Sequence, residues 1–152
     1  MNPDCDTCKL PINPDSVIYE TDQWRVLLAN DQGYLGRCYV TAKNHTGSLG
    51  ELSDQQWKEY ARIVTLLETA CKKALGAEMF NWTCLMNNAF RKQPSKPHVH
   101  WHFRPRYRKD VSFGDLTFED PQFGYHYDRD QQRNIDVKVY MGIRDSIKKS
   151  MD

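Results

Sequence analysis

Neither sign of charge is in excess: 21 Lys and Arg stand against 20 Asp and Glu, a formal net charge of +1. So small a net charge gives no support to an acidic-polymer partner, and any anion site has to be built locally. No apolar run approaches the ~18 residues needed to cross a membrane, so no membrane partner is expected. Met1-Asn2-Pro3-Asp4 lacks the basic start and apolar segment of a secretory leader. Five cysteines are an odd number and do not suggest the paired framework of a secreted protein. A reducing, cytoplasmic location is the expectation. There is no internal repeat, low-complexity tract or interdomain linker, so residues 1–152 are read as one domain. A hydrophobic share of 39% and four Trp are enough for a core.

What the chain does have is His98-Val99-His100-Trp101-His102-Phe103, which holds three of its five histidines at alternate positions. In a strand, residues i, i+2 and i+4 share a face. The three imidazoles then line up, while Val99, Trp101 and Phe103 turn to the core. Imidazole binds metals and acts as base or nucleophile near neutral pH. The row therefore points to metal binding, attack on an electrophile or anion binding.

Around that run the chain reads as an α+β domain with an antiparallel sheet. Val17–Glu20 and Trp24–Leu28 form a hairpin across Thr21-Asp22-Gln23. Arg37–Ala42 is a third strand and Phe80–Met86 a fourth. Ser53-Asp54-Gln55-Gln56 is a capping box. Trp57, Ala61, Val64, Leu67, Cys71 and Leu75 follow at three- and four-residue steps, predicting one long amphipathic helix that stops at Gly76. A polar loop spans Asn87 to Pro97. Arg104, Arg106, Arg108 and Lys109 read most simply as a solvated strand end, with phosphate contact by alternate arginines as the other reading. Residues 110–130 look irregular. Ile135–Lys149 reads as a helix, although Val137, Val139 and Tyr140 also allow a strand. Cys38, Cys71 and Cys84 are expected in the core and His126 on the surface. Residues 1–15 form an irregular arm carrying Cys5-x-x-Cys8, a pair that alone suits either metal binding or redox chemistry.

The triple histidine and its flanks resemble the histidine triad superfamily. Val40-Thr41-Ala42-Lys43-Asn44-His45, then Leu49 and Leu52-Ser53, is similar to that family's passage into its long helix. Asn87, Ser95, the triad and the Arg-Pro-Arg-Tyr tail follow in family order, so the likeness covers about residues 5–108. Residues 109–152 form a C-terminal extension similar to that of a bacterial-type branch whose motif reads His-x-His-Trp-His. The resemblance implies a nucleotide-binding fold with about five antiparallel strands, one long helix and a C-terminal helix. It also implies a homodimer joined sheet edge to sheet edge.

The implied activity is hydrolysis or transfer at the α-phosphate of a nucleotide conjugate, such as a dinucleoside polyphosphate or a nucleoside phosphoramidate. His100 then corresponds to the nucleophile and His102 to a donor to phosphate oxygens. Ser95 and Asn87 correspond to auxiliary contacts, each equally readable as a loop residue. Asn30 or Asp31 falls near the family's ribose contact. Arg37 stands where many members have His, and either places a cation at the phosphate or faces solvent. Pro94 stands where members have Gln. Zinc-containing relatives imply Cys5, Cys8, His45 and His98 as a structural zinc set, with free thiols as the alternative. Keeping His102, where uridylyltransferases carry Gln, favours a hydrolase. The rivals are a nucleotidyltransferase or phosphorylase, and a nucleotide-binding module with little turnover. Nucleic-acid binding through the basic tail is the weaker reading, and steep salt dependence would mark it.

Overall fold

The computed structural model describes Asn2 and residues 4–151; Met1 and Pro3 of the leader reading, and Asp152, lie outside the described residues. The central sheet has five antiparallel strands: β1 (Val17–Glu20), β2 (Trp24–Leu28), β3 (Cys38–Ala42), β4 (Met79–Thr83) and β5 (His100–Arg106), in the order β1-β2-β3-β5-β4. Its helices are a short α1 (Asp6–Lys9), the long α2 (Asp54–Leu75) and α3 (Val137–Met151). The architecture is the α+β arrangement expected.

Alternation divides the sheet into two faces. Trp24, Val26 and Leu28 of β2, and Cys38, Val40 and Ala42 of β3, are buried. They join Val99 and Phe103 in one core with Ile63, Leu67 and Cys71 of α2 and Ile143 and Ile147 of α3. Each fully buried aliphatic side chain there contributes about 1.5–3 kcal/mol. Trp101 is half-buried, stacked on Tyr60 of α2 at 4.7 Å between ring centroids. The opposite face carries Arg25 and Leu27, Tyr39 and Thr41, and His100, His102 and Arg104. Register aligns these rows: Tyr39 pairs with His102 and Thr41 with His100, while Thr83 pairs with His102 and Asn81 with Arg104.

The capping box forms as read, with Ser53 accepting from the Gln56 amide and the Gln56 side chain accepting from the Ser53 N–H. Gly76 ends α2 in the left-handed region at φ 73°. The buried stripe of α2 is shifted, however. It runs through Gln56, Tyr60, Ile63, Leu67, Ala70, Cys71 and Leu75, leaving Trp57 and Ala61 exposed. The Gln56 carbonyl accepts from the buried Trp24 Nε1 at 2.8 Å, which turns this part of the helix toward the sheet.

Residues 110–130 are more ordered than the sequence suggests. Val111–Phe113 (β6) and Leu116–Phe118 (β7) form a hairpin around Gly114-Asp115. Arg104 and Arg106 are buried, not a solvated strand end; Arg108 is exposed beside Glu78. Arg106 is wholly enclosed and donates to both Asp120 oxygens at 2.7 and 2.9 Å, to Asn81 Oδ1 and to the Tyr125 and Gln122 carbonyls. That pair ties the extension to β5. Gly33 permits a second tie: a Cβ there would lie 2.0 Å from the Gln131 carbonyl oxygen, so only glycine allows the extension to close on this turn. α3 is a helix, and its Tyr140 hydroxyl donates to the Leu28 carbonyl at 2.9 Å.

Candidate functional site

The open sheet face forms the floor of a cleft of about 710 Å³. Arg25, Leu27, Tyr39, Thr41 and Lys43 rise from β2, β3 and the residue after it, and His98, His100 and His102 from the triad run. The N-terminal arm, from Thr7 to Asn13, walls one side. Asn30 lines the cleft at its exposed rim. Asp31 instead accepts from the Gly33 and Arg133 amides and pairs with Arg37, which makes it a structural residue.

His100 is fixed by one hydrogen bond: its Nδ1–H donates to the His98 carbonyl at 2.8 Å. That sets the tautomer and leaves Nε2 as the nitrogen carrying a lone pair. The His102 ring lies 5.0 Å from the His100 ring and edge-on to Tyr39 at 5.2 Å. Burial, ahead of the charges of His100, Arg104, Arg37 and Arg129, pushes the His102 pKa down to about 4. At neutral pH His102 is therefore uncharged, with one N–H and one lone pair to offer.

The unfolded chain binds a proton at His102 below about pH 6.5, whereas the folded chain resists it down to about 4. Stability from this group is complete above pH 6.5 and is lost as the pH falls toward 4. We expect His102→Gln to lose about 1–2 kcal/mol less than wild type between pH 7 and pH 4.5, because partial exposure weakens the full effect. Urea unfolding at the two pH values measures this; equal losses would remove the assignment.

Arg37 neither faces solvent nor stands free. It pairs with Asp31 and donates from Nη2 to the Tyr39 hydroxyl at 3.3 Å. Ser95 is half-buried in the loop before β5 and Asn87 is exposed where a 3₁₀ turn begins. Neither lines the cleft. Tyr39, Thr41, Arg25 and Lys43 are cleft residues missed in the sequence. For Tyr39 and Thr41 the signal was available: in Arg37–Ala42 the polar residues alternate with Cys38, Val40 and Ala42, which fixes their face.

At the arm end, Cys5, Cys8, His45 and His98 bring two sulfurs and two ring nitrogens within 4.8 Å of one another. Cys5 Sγ lies 3.7 Å, and Cys8 Sγ 3.3 Å, from His98 Nδ1; Cys8 Sγ lies 3.6 Å from His45 Nδ1. A tetrahedral zinc with ordinary bond lengths separates its sulfur and nitrogen ligands by roughly 3.6 Å. His98 Nε2–H donates to the Ala42 carbonyl at 2.8 Å, which turns the Nδ1 lone pair onto the thiols, as a metal-bound histidine requires. Burial lowers the His98 pKa, ahead of the charges of His45 and His100, so the ring is neutral and fit to ligate. These four residues suit a metal ion. Cys38 and Cys71 are fully buried with raised pKa values, and Cys84 is half-buried against the core.

Residues 11–109 match the HIT domain family, and the chain belongs to it. Solved structures share the fold. A hypothetical histidine triad nucleotide-binding protein from Sulfolobus tokodaii is 18% identical with a TM-score of 0.65, over 90% of this chain and 83% of that one. A Zn-bound histidine triad family protein from Mycobacterium smegmatis is 20% identical with a TM-score of 0.55, over 90% and 86%. A uridylyltransferase mutant is 15% identical with a TM-score of 0.65, over 97% of this chain but 46% of its own. No curated protein sequence matches the chain. Among the described residues, no helix is long and apolar enough to cross a membrane.

Proposed function

We propose that the chain is a hydrolase acting at the α-phosphate of a nucleoside phosphate conjugate through a nucleotidyl-histidine intermediate, with His100 as the nucleophile. The observation that carries this reading is the His100 ring in the cleft wall, its Nδ1–H held by the His98 carbonyl at 2.8 Å and its other nitrogen left to react. A neutral imidazole meets no charge repulsion from phosphate oxygens. As Nε2 forms a bond to phosphorus, the bond to the leaving group breaks and that group departs with the electron pair. The imidazolium charge that develops is stabilised through Nδ1–H by the His98 carbonyl. Water then attacks phosphorus, the N–P bond breaks, its electron pair returns to Nε2, and the water proton passes to solvent. His102, neutral, donates its N–H to a non-bridging oxygen, where charge accumulates. Asn30 meets the nucleoside at the rim, and Arg37, paired with Asp31, holds the hydroxyl of the cleft residue Tyr39. Ser95 and Asn87 are given no step.

Cys5, Cys8, His45 and His98 would hold zinc, which would supply a structural crosslink between the arm and the residues leading into β5, with four protein ligands leaving no open position for substrate. The protein acts as a homodimer; β4, at one edge of the sheet, is the strand that suits edge-to-edge pairing. Residues 1–152 serve as one domain, because α3 shares its core with α2 and the sheet. Five free cysteines suit a reducing compartment such as the cytoplasm.

Quenching the protein during turnover of a panel of nucleotide conjugates should trap a nucleotidyl group on the peptide carrying His100, detected by mass spectrometry. Product analysis with added phosphate separates hydrolysis from phosphorolysis or nucleotidyl transfer. Turnover with no labelled histidine would refute the covalent route.

A further inference from the structure

Arg104 is 7% exposed, and its Nη1 is buried without a partner. Among the described residues it joins no ion pair. Its neighbours in the fold are treated differently. Arg106, two residues on and on the same face, is neutralised by Asp120, and Arg37 is neutralised by Asp31. Arg104 has only the face of Tyr127, 4.1 Å from its guanidinium carbon. Enclosing an ionised group without a counter-charge is costly, and guanidinium does not escape by losing its proton.

The other partnerless atoms cluster with it. Five buried side-chain N or O atoms lack a hydrogen bond among the described residues, and four of them are Arg104 Nη1, Arg37 Nε, His102 Nδ1 and Thr83 Oγ1. Alternation and register put all four on the open face: Thr83 and Tyr39 flank His102, and Arg37 lies one step beyond Tyr39 toward Arg104. Arg129, exposed on the extension, is close enough for its charge to bear on His102. Between them Arg37 and Arg104 have one carboxylate, the Asp31 that pairs with Arg37, so the open face just beyond His102, which itself lines the cleft, carries an uncompensated positive charge beside polar atoms that have nothing to bind.

We propose that Arg104, Arg37 and Thr83, with the exposed Arg129 of the extension adding charge, form an anion subsite one strand step beyond the triad, which takes further phosphate groups attached to the phosphorus that His100 attacks. Planar guanidinium donors match phosphate oxygens. The substrate class is thereby narrowed to polyphosphate-linked nucleotides, over phosphoramidates whose leaving group is an amine. The narrowing rests on the hydrolase reading; the anion subsite itself does not.

Calorimetry with inorganic tripolyphosphate tests the subsite without turnover. Wild type should bind it, Arg104→Gln should weaken binding at least about tenfold, and Arg129→Ala about threefold, while affinity for a nucleoside monophosphate stays within about twofold. In kinetics, Arg104→Gln should lower kcat/KM for a dinucleoside polyphosphate at least about tenfold more than for a nucleoside phosphoramidate. Absent tripolyphosphate binding in wild type, or equal affinity in wild type and Arg104→Gln, overturns the subsite. Equal losses on both substrates overturn the narrowing. Should Arg104→Gln fail to fold, the exposed Arg129→Ala decides, its unchanged affinity counting against the proposal. A chain that binds tripolyphosphate but turns over no conjugate keeps the subsite and loses the hydrolase reading.

Discussion

Replacing His100 with Ala is expected to lower turnover of any nucleotide conjugate by at least about 10³-fold while leaving mononucleotide affinity within about tenfold. The asymmetry follows from where the residue sits. Binding surface comes from β2, β3 and the arm, with Leu27, Asn30, Tyr39 and Thr41 among its walls, and none of these is held by His100. The proposed reacting atom, by contrast, belongs to one ring whose orientation rests on the His98 carbonyl. No neighbour substitutes for it: His102 is directed by a different strand position, and His98 turns its Nδ1 toward the thiols. Single-turnover kinetics with matched binding titrations measure both quantities. A variant that retains turnover would move the nucleophile elsewhere. Equal and negligible rates in wild type and variant, across a broad panel, would make the protein a binding module.

The second large effect concerns the metal. Purified protein should carry about one zinc per chain, and a Cys5→Ser/Cys8→Ser double variant should carry none. Structural zinc sites of this type contribute roughly 10–16 kcal/mol of apparent binding free energy in small peptides. Here the rest of the fold has its own core, so we expect a stability loss of several kcal/mol, not wholesale unfolding. The loss should concentrate at the arm: without its anchor, α1 has only four residues, none of them buried. Metal analysis and protease sensitivity of residues 4–13 measure the two parts. Zinc-free wild type, or an arm equally resistant in the double variant, would sink the assignment.

The histidine strand was legible because period-two alternation is a strong constraint: three histidines with Val, Trp and Phe between them admit one orientation. The start and stop of α2 were legible because caps are local chemistry. The stripe of α2 was less so. Steps of three and four from Leu67 and Cys71 lead back equally well to Ile63 and Tyr60 or to Val64 and Ala61, and the bond from Trp24 to the Gln56 carbonyl decides between them. The β6–β7 hairpin escaped because its strands have three residues each and its Gly-Asp turn reverses the usual Asp-Gly order. Arg104 and Arg106 were misread because charge was taken to mean exposure. The partner that buries Arg106 is Asp120, fourteen residues away in an unpatterned segment, and no local signal links the two. Asn30 and Asp31 were separable only in three dimensions, where Asp31 is spent on two amides and Arg37.

Along β5 and the residues just before it, every second side chain has a separate task. His98 faces two thiols, His100 and His102 line the cleft, and Arg106 clamps the extension. The intervening residues fill the core. This stretch therefore behaves like text with a reading frame. One residue inserted within it would swap the two sets on one side of the insertion, dropping polar side chains there into the apolar layer and lifting their core neighbours into water. The same insertion between Asn87 and Pro97 would only lengthen a connection. Tolerance to length change is thus set at the scale of single residues, by which side of His98 the change falls on.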